Sequence, residues 1–268
     1  MRLDHAAILA LVQAITEFLP VSSSGHLILL PRLLGWSDQG LAFDVATNTG
    51  TLLAVIAYYR RELRDLVVGF FTGKAAPGED FEPRRLAWQL VLGTIPAAVC
   101  GLLFHDRIAT VARNPLLIAA NAVFFGLLLY AADRYWRRER GIADLSYADA
   151  LWIGMAQALA LNPGTSRSGI TITAALFLGL ARPAAARFSF LLSIPIGILA
   201  AGHELAGPIL HGEAPAVGWP ATAVGIAVSA VAGYAVIGWL LAWLRKRSVA
   251  VFVVYRLALA VAIVALFW

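Results

Sequence analysis

The stretch QAITEFLPVSSSG, residues 13–25, has a near-copy at residues 157–169, QALALNPGTSRSG. Both run Gln-Ala, a mainly apolar stretch, a proline, a cluster of hydroxyl residues and a glycine, with the same spacing from glutamine to glycine. Each copy joins two apolar runs, 6–19 and 27–34 around the first, 151–161 and 170–181 around the second. A helix needs about 20 apolar residues to cross the hydrocarbon core, so none of these four runs is long enough. Backbone at membrane depth must satisfy its own polar groups or line a cavity. Short paired runs broken by a polar loop are therefore read as re-entrant hairpins, which dip into the membrane and return on the same side.

The rest of the chain fits that setting. Of its 268 residues, 60% are hydrophobic and 14% charged, against about a quarter charged in a soluble domain, and the mean hydropathy is +0.77. Six longer apolar runs, 41–59, 86–104, 116–132, 186–206, 217–244 and 249–268, are expected to cross. The basic residues test this layout. Arg60, Arg61, Arg64, Lys74, Arg84 and Arg85 fall in one connection and Arg134, Arg137, Arg138 and Arg140 in another. Arg182 and Arg187 flank the fourth long run, and Arg245, Lys246 and Arg247 follow the fifth. With six crossings and two returning hairpins, all of these share one face, leaving Arg2, Arg32, Arg107 and Arg113 opposite. The excess assigns the basic face to the cytoplasm. The first hairpin then enters from the outer face and the second from the cytoplasmic face.

The expected fold is thus an all-α polytopic membrane protein, six transmembrane helices plus two re-entrant helical hairpins in an inverted-topology repeat. One membrane domain, 1–268, divides into a repeat over 1–115 with its hairpin at 6–34 and a repeat over 148–268 with its hairpin at 151–181. Sites in such folds lie near the midplane at the repeat interface. The first apolar run lacks a basic leader and a small-residue cleavage site and is kept in the mature chain. The single cysteine, Cys100, excludes intramolecular disulfides and a cysteine metal cluster and reads as a packing residue. The net charge of +5 is accounted for by topology and gives no reason to expect nucleic acid.

Chemistry concentrates in the two loops. Gln13 and Glu17 share a helix face that points at Ser22, Ser23, Ser24 and His26. A carboxylate at membrane depth marks a functional pathway or a satisfied pair, and bracing the hairpin loop is the bland reading of Glu17. Among five histidines, His26 is at this depth, whereas His105, His203 and His211 fall in expected outer loops and His5 near the amino terminus. Beside serines and a carboxylate, a general acid/base role is the better reading of His26 than packing. The second loop offers Asn162, Pro163, Gly164, Thr165, Ser166, Arg167, Ser168 and Gly169 ahead of a helix, and helix N-termini with hydroxyl side chains bind anions. Arg167 adds a planar fork suited to phosphate oxygens. Its resting alternative is a salt bridge to Glu17 or Asp44, which phosphate could displace. Asp44 and Asn48 either extend the polar lining or make packing hydrogen bonds. Arg256, beside Tyr255 in the last span, has no role in this reading. An anion clamp, a hydroxyl nucleophile and an acid/base pair meet the needs of phosphoester or phosphoanhydride hydrolysis. The chain has no phosphate-binding loop of the nucleotide-hydrolase type.

The segments QAITEFLPVSSSGHL (13–27) and ALNPGTSRSG (160–169), with FSFLLSIP at 188–195, resemble the undecaprenyl-diphosphate phosphatase family, the bacitracin-resistance proteins of bacterial membranes. The resemblance implies hydrolysis of a C55 polyprenyl diphosphate to the monophosphate and phosphate, which recycles the lipid carrier of envelope polymers. It implies an inner-membrane protein with its site open to the periplasm. Glu17, Ser23 and His26 are carried over as catalytic residues. Arg167, Ser166 and Ser168 are carried over as phosphate binders, alongside Gln13, Ser22, Ser24, Thr165 and Gly169 from the loops themselves. Mg²⁺ or Ca²⁺, with Glu17 as a metal ligand, is implied by the resemblance alone. Many members carry Glu where this chain has Gln13, which leaves the acidic role to Glu17. The expected partners are the lipid substrate and the bilayer, with a homodimer left open. In the scheme Ser23 attacks the terminal phosphorus, His26 or water being the other nucleophiles. The rival reading is a polyprenyl-phosphate transporter or flippase, which needs the Arg167 clamp but no nucleophile.

Overall fold

The structure, a computed structural model, describes residues 1–73, 81–111, 114–136, 139–211 and 217–267, with backbone alone at position 41 and over 105–111 and 203–211. Its first four helices are α1 (Leu3–Phe18), α2 (Ser23–Leu33), α3 (Leu41–Tyr58) and α4 (Arg60–Thr72). Next come α5 (Pro83–Val111), α6 (Pro115–Tyr135), α7 (Tyr147–Leu159) and α8 (Arg167–Phe177). The chain ends in α9 (Arg182–His211), α10 (Trp219–Lys246) and α11 (Ala250–Phe267).

Among the described residues, five helices are long and apolar enough to cross a membrane, over Pro83–Phe104, Pro115–Tyr135, Arg182–Gly202, Trp219–Lys246 and Ala250–Phe267. They turn large apolar side chains outward, among them Leu102, Leu103, Phe124, Val231, Val254 and Val261, each more than 60% exposed. Lipid is the medium in which such a surface is stable, and the chain is a multi-pass membrane protein. The sixth expected crossing, 41–59, is the 18-residue helix α3, which is not among those five.

The four short runs form short helices of 16, 11, 13 and 11 residues, α1, α2, α7 and α8. At about 1.5 Å per residue none spans a core of about 30 Å. Their boundaries differ from expectation in one useful way. Ser23, Ser24 and His26 lie on the opening turn of α2, and Arg167, Ser168 and Gly169 on that of α8, rather than in loops. At α8 the reason is capping. Ser166 accepts the Gly169 N–H at 3.2 Å, which satisfies one of the free donors at the start of α8. Farther back, Ser146 and Asp149 form a reciprocal capping box that starts α7 earlier than its apolar run.

Ser22 and Ser166, at matching places in the two motifs, are the only described non-glycine residues in the left-handed region, at φ 74° and 71°. Each hydroxyl lies beside that of the serine two positions on, Ser22 with Ser24 at 3.2 Å and Ser166 with Ser168 at 3.3 Å. Left-handed backbone at a residue with a Cβ costs on the order of 1–3 kcal/mol and persists only where the surroundings over-determine it. The two hairpins therefore share one strained turn as well as a sequence pattern.

Helix packing is reciprocal between the halves. α1 and α3 lie along α10, while α7 and α9 lie along α5, and α6 pairs with α11. Glycines permit the close approach. A Cβ on Gly154 of α7 would fall 2.7 Å from the Gly93 Cα of α5 and closer still to its carbonyl.

One end of the bundle is tied by ion pairs. Arg182 donates to both Asp133 carboxylate oxygens, Nε at 2.5 Å and Nη2 at 3.0 Å, and Ser248 donates to the same group at 2.7 Å. Arg187 of α9 reaches Glu62 of α4 at 3.1 Å. The connection after α3, read from its sequence only as a basic segment, begins with the amphipathic α4, which buries Glu62, Leu66 and Gly69. Its apolar residues at helical spacing, Leu63, Leu66 and Phe70, carry that signal. Of the basic residues used to orient the chain, Lys74, Arg113, Arg137 and Arg138 lie outside the described residues, as does the side chain of Arg107. The helices α5 and α9 run on through positions 105, 203 and 211, which were expected in loops, and those side chains also lie outside the description.

The Gly154–Gly93 contact gives a direct test of the α5–α7 seam. Gly154→Ala must push the two backbones apart and is expected to cost about 1–3 kcal/mol. Thermal unfolding of the purified protein in detergent would show this as a lowered midpoint, and an unchanged midpoint would mean that the two helices do not touch there.

Candidate active site

The two hairpin tips meet. The Gly164 N–H of the second loop donates to Ser24 Oγ at 3.4 Å, and the Ser168 hydroxyl donates to the Leu19 carbonyl of the first loop at 3.2 Å. This contact brings the last turn of α1 against the first turn of α8. Glu17 and Arg167, which are far apart in sequence, face each other there, with Arg167 Nη2 donating to Glu17 Oε1 at 2.7 Å.

Glu17 also gathers its own hairpin. Ser23, at the start of α2, donates its hydroxyl to Glu17 Oε2 at 2.8 Å. Gln13, one turn earlier on α1, donates Nε2 to the same oxygen at 2.9 Å and to Asn48 Oδ1 at 2.8 Å. The carboxylate is thus held by a cation, a hydroxyl and an amide, and its side chain is 9% exposed. Such a buried carboxylate is tolerated because its remaining lone pairs are satisfied. Removing one partner would leave the other charge uncompensated.

A cavity of about 200 Å³ opens at this pair. Glu17, Arg167, Asn48, Thr49, Thr51 and Ser193 give it polar groups, and Val45, Leu52, Val55 and Ile196 of α3 and α9 give it apolar walls. Cation, carboxylate and hydroxyls beside an apolar wall suit an anion carried on a hydrocarbon chain.

His26 stands apart from this cluster. Its Nδ1 lies 2.8 Å from the Ser22 carbonyl and its Nε2 2.6 Å from the Tyr255 hydroxyl of α11. Since a carbonyl only accepts, Nδ1 carries a proton toward Ser22, and Nε2 pairs with the tyrosine hydroxyl. No hydrogen bond joins His26 to Glu17 or Ser23 among the described residues. Thr165 is fully buried with its hydroxyl unpartnered, and is not part of the cavity wall. Asp44 accepts from Gln39 at 2.7 Å, not from Arg167. Asn162 reaches the Leu159 carbonyl at 3.4 Å as a turn residue. Of the sequence-derived residues, Gln13, Glu17, Ser23 and Arg167 converge, and Ser22, Ser24, Ser166, Ser168 and Gly169 build the turns that hold them. Asn48 joins as the partner of Gln13, which the polar lining reading had allowed. Tyr255 and Arg256 were missed, for an isolated polar residue in an apolar helix does not reveal what it faces.

Among the described residues no three of His, Cys, Asp and Glu cluster as metal ligands. The oxygens beside Glu17 nevertheless suit a hard cation that shares its coordination with phosphate. Gln13 Oε1 is buried and unpartnered there, and Asn48 Oδ1 is adjacent through Gln13.

Comparison with known proteins points the same way as this geometry. The family described as bacitracin resistance protein BacA matches residues 6–262. An undecaprenyl-diphosphatase of Teredinibacter turnerae is 51% identical over 261 residues, covering 97% of this chain and 98% of that protein. One from Magnetococcus marinus is 51% identical over 272 residues, with 99% of each chain covered. A third, from Thioalkalivibrio sulfidiphilus, is 49% identical over 268 residues and covers both chains in full. The chain belongs to the bacitracin resistance protein BacA family.

Proposed function

We propose that this chain hydrolyses undecaprenyl diphosphate to undecaprenyl phosphate and inorganic phosphate, recycling the lipid carrier of cell-wall synthesis. Family membership and relatives at about half identity over the whole chain support the activity. One observation carries the chemistry: Glu17 holds the Ser23 hydroxyl with one oxygen and Arg167 with the other.

In this reading the terminal phosphate takes over the Arg167 guanidinium, whose fork matches two phosphate oxygens. Glu17, released from its cation, accepts the Ser23 proton. Ser23 Oγ then bonds to the terminal phosphorus as the bridging P–O bond breaks, and undecaprenyl phosphate leaves. Glu17 passes the Ser23 proton to the departing undecaprenyl phosphate. The restored carboxylate then deprotonates a water that attacks the phosphoserine, and returns the proton to Ser23 Oγ as the P–Oγ bond breaks and inorganic phosphate leaves. The hydroxyls of Ser22, Ser24, Ser166 and Ser168 and the amides opening α8 surround the anion. His26 is the second proton group, and serves the reaction only after exchanging its Tyr255 hydrogen bond. A divalent cation, held by Glu17 with the oxygens of Gln13 and Asn48, would supply charge neutralisation to the diphosphate.

The same proposal covers topology. Six crossings and two re-entrant hairpins form an inverted repeat, with the arginine-rich end in the cytoplasm of the inner membrane and the site open to the periplasm. The paired left-handed serines and the reciprocal packing on α5 and α10 support it. That packing also favours a transporter reading, since inverted repeats around a midplane site are common carrier anatomy. The Ser23–Glu17 hydrogen bond favours hydrolysis, because a carrier has no use for an activated hydroxyl.

Phosphate release from polyprenyl diphosphate by purified protein in detergent, with no second compartment, separates the two. Ser23→Ala and Glu17→Gln are each expected to lower turnover by on the order of 100-fold or more. Arg167→Ala should do so by a comparable factor, with weaker substrate binding. Mass spectrometry of quenched wild type should find phosphate on Ser23, and near-normal turnover of Ser23→Ala would remove the serine scheme. Chelation with EDTA should suppress release and added Mg²⁺ or Ca²⁺ restore it, whereas indifference to EDTA would exclude the cation.

A further inference from the structure

Arg256 is wholly buried near the middle of α11. A guanidinium in such a place needs partners for all its donors, and a carboxylate is the usual one. Here, among the described residues, every hydrogen bond goes to a main-chain carbonyl. Nε donates to Ala122 at 2.9 Å, and Nη2 to Asn121 at 3.2 Å, both on α6. Nη1 donates to Pro20 in the first loop at 3.2 Å. In the second loop, Nη2 donates to Gly164 at 3.0 Å, and both Nη1 and Nη2 donate to Thr165 at 3.1 Å.

The chain makes room for this group. A Cβ on Gly126 of α6 would lie 3.2 Å from Arg256 Nε, and one on Gly169 of α8 would lie 3.2 Å from Nη1. Gly164, at φ +83°, passes so close to α6 that a Cβ would collide with the Ile118 backbone. Three segments thus converge on one cation. The bonded positions are also telling. Pro20 sits between Glu17 and Ser23, and Thr165 stands two residues before Arg167. In a trans peptide the N–H points opposite to the C=O, so the grip on the Thr165 carbonyl also sets the direction of the Ser166 N–H at the cap of α8.

We infer that Arg256 is a positioning residue for the reaction: it pins both hairpin tips to α6, keeping Ser23, Glu17 and Arg167 in register. It acts through the loops and does not touch the substrate. Lysine cannot substitute, because its donors radiate from one atom and cannot spread over carbonyls on three segments. The activity side of this inference rests on the hydrolase reading above, whereas its structural side does not.

Two variants test it. Arg256→Lys keeps the charge, and Gly126→Ala keeps the arginine while crowding its Nε. Each is purified in detergent, checked for helical content by circular dichroism, and compared with wild type by hydrogen–deuterium exchange and phosphate release. In both, exchange should rise severalfold over 19–26 and 162–169 together, with α3 and α10 unchanged. Turnover should fall by about tenfold to a hundredfold with KM within about threefold, as misplaced reacting groups dictate. Unchanged exchange in both loops would overturn the inference, as would raised exchange across all helices or turnover within about twofold of wild type while the loops loosen. If wild type itself releases no phosphate, the hydrolase reading fails, while the exchange comparison still decides whether Arg256 holds the loops.

Discussion

A single ion pair across two hairpins, Arg167 on Glu17 at 2.7 Å, is the interaction on which the remaining architecture depends. Away from water a lone carboxylate or guanidinium is costly enough that each must find the other or an anion. That requirement draws the end of α1 to the start of α8 and explains why neither hairpin is complete alone. In the proposed reaction the same pair keeps Glu17 engaged until another anion takes the guanidinium, so that the base becomes available when substrate arrives.

The hairpin tips are built to hold this arrangement. Ser22 and Ser166 adopt the same left-handed turn, each hydroxyl next to that of a serine on the following helical turn. The reciprocal contacts of Ser24 with Gly164 and Ser168 with Leu19 then lock one tip to the other. Strain of this kind survives only where many contacts agree, and the carbonyl-bonded Arg256 supplies several of them from outside either loop. The last helix, which sequence alone marks as a plain membrane span, therefore contacts the site through two neighbouring residues: Tyr255 to His26 and Arg256 to both loops.

Much of the fold was legible in advance because membrane proteins obey few, strong rules. Apolar run length decided five crossing helices to within a few residues, and the four short runs became four short helices. The amphipathic α4 is masked in the sequence by the charges of Arg60, Arg61, Glu62, Arg64 and Asp65, which crowd its first turns. The convergence of Gln13, Glu17, Ser23 and Arg167 was also legible, since each is a polar residue where apolar ones prevail. His26 is different. Its position just after the three serines suggested proton chemistry with them, yet its ring turns to Tyr255, a residue more than 200 positions away.

Residue order by itself determined which runs are long and apolar enough to cross a membrane, which four are too short to do so, and which side chains are too polar to lie among them without a purpose. Those conclusions follow from transfer free energies and backbone hydrogen bonding, which are local properties. The tertiary structure decided the partners: that Glu17 is shared by Ser23 and Arg167, that His26 belongs to Tyr255, and that Arg256 binds carbonyls rather than a carboxylate. Partner choice depends on how distant helices pack and on where glycines let backbones approach, and neither is written in the neighbourhood of any one residue.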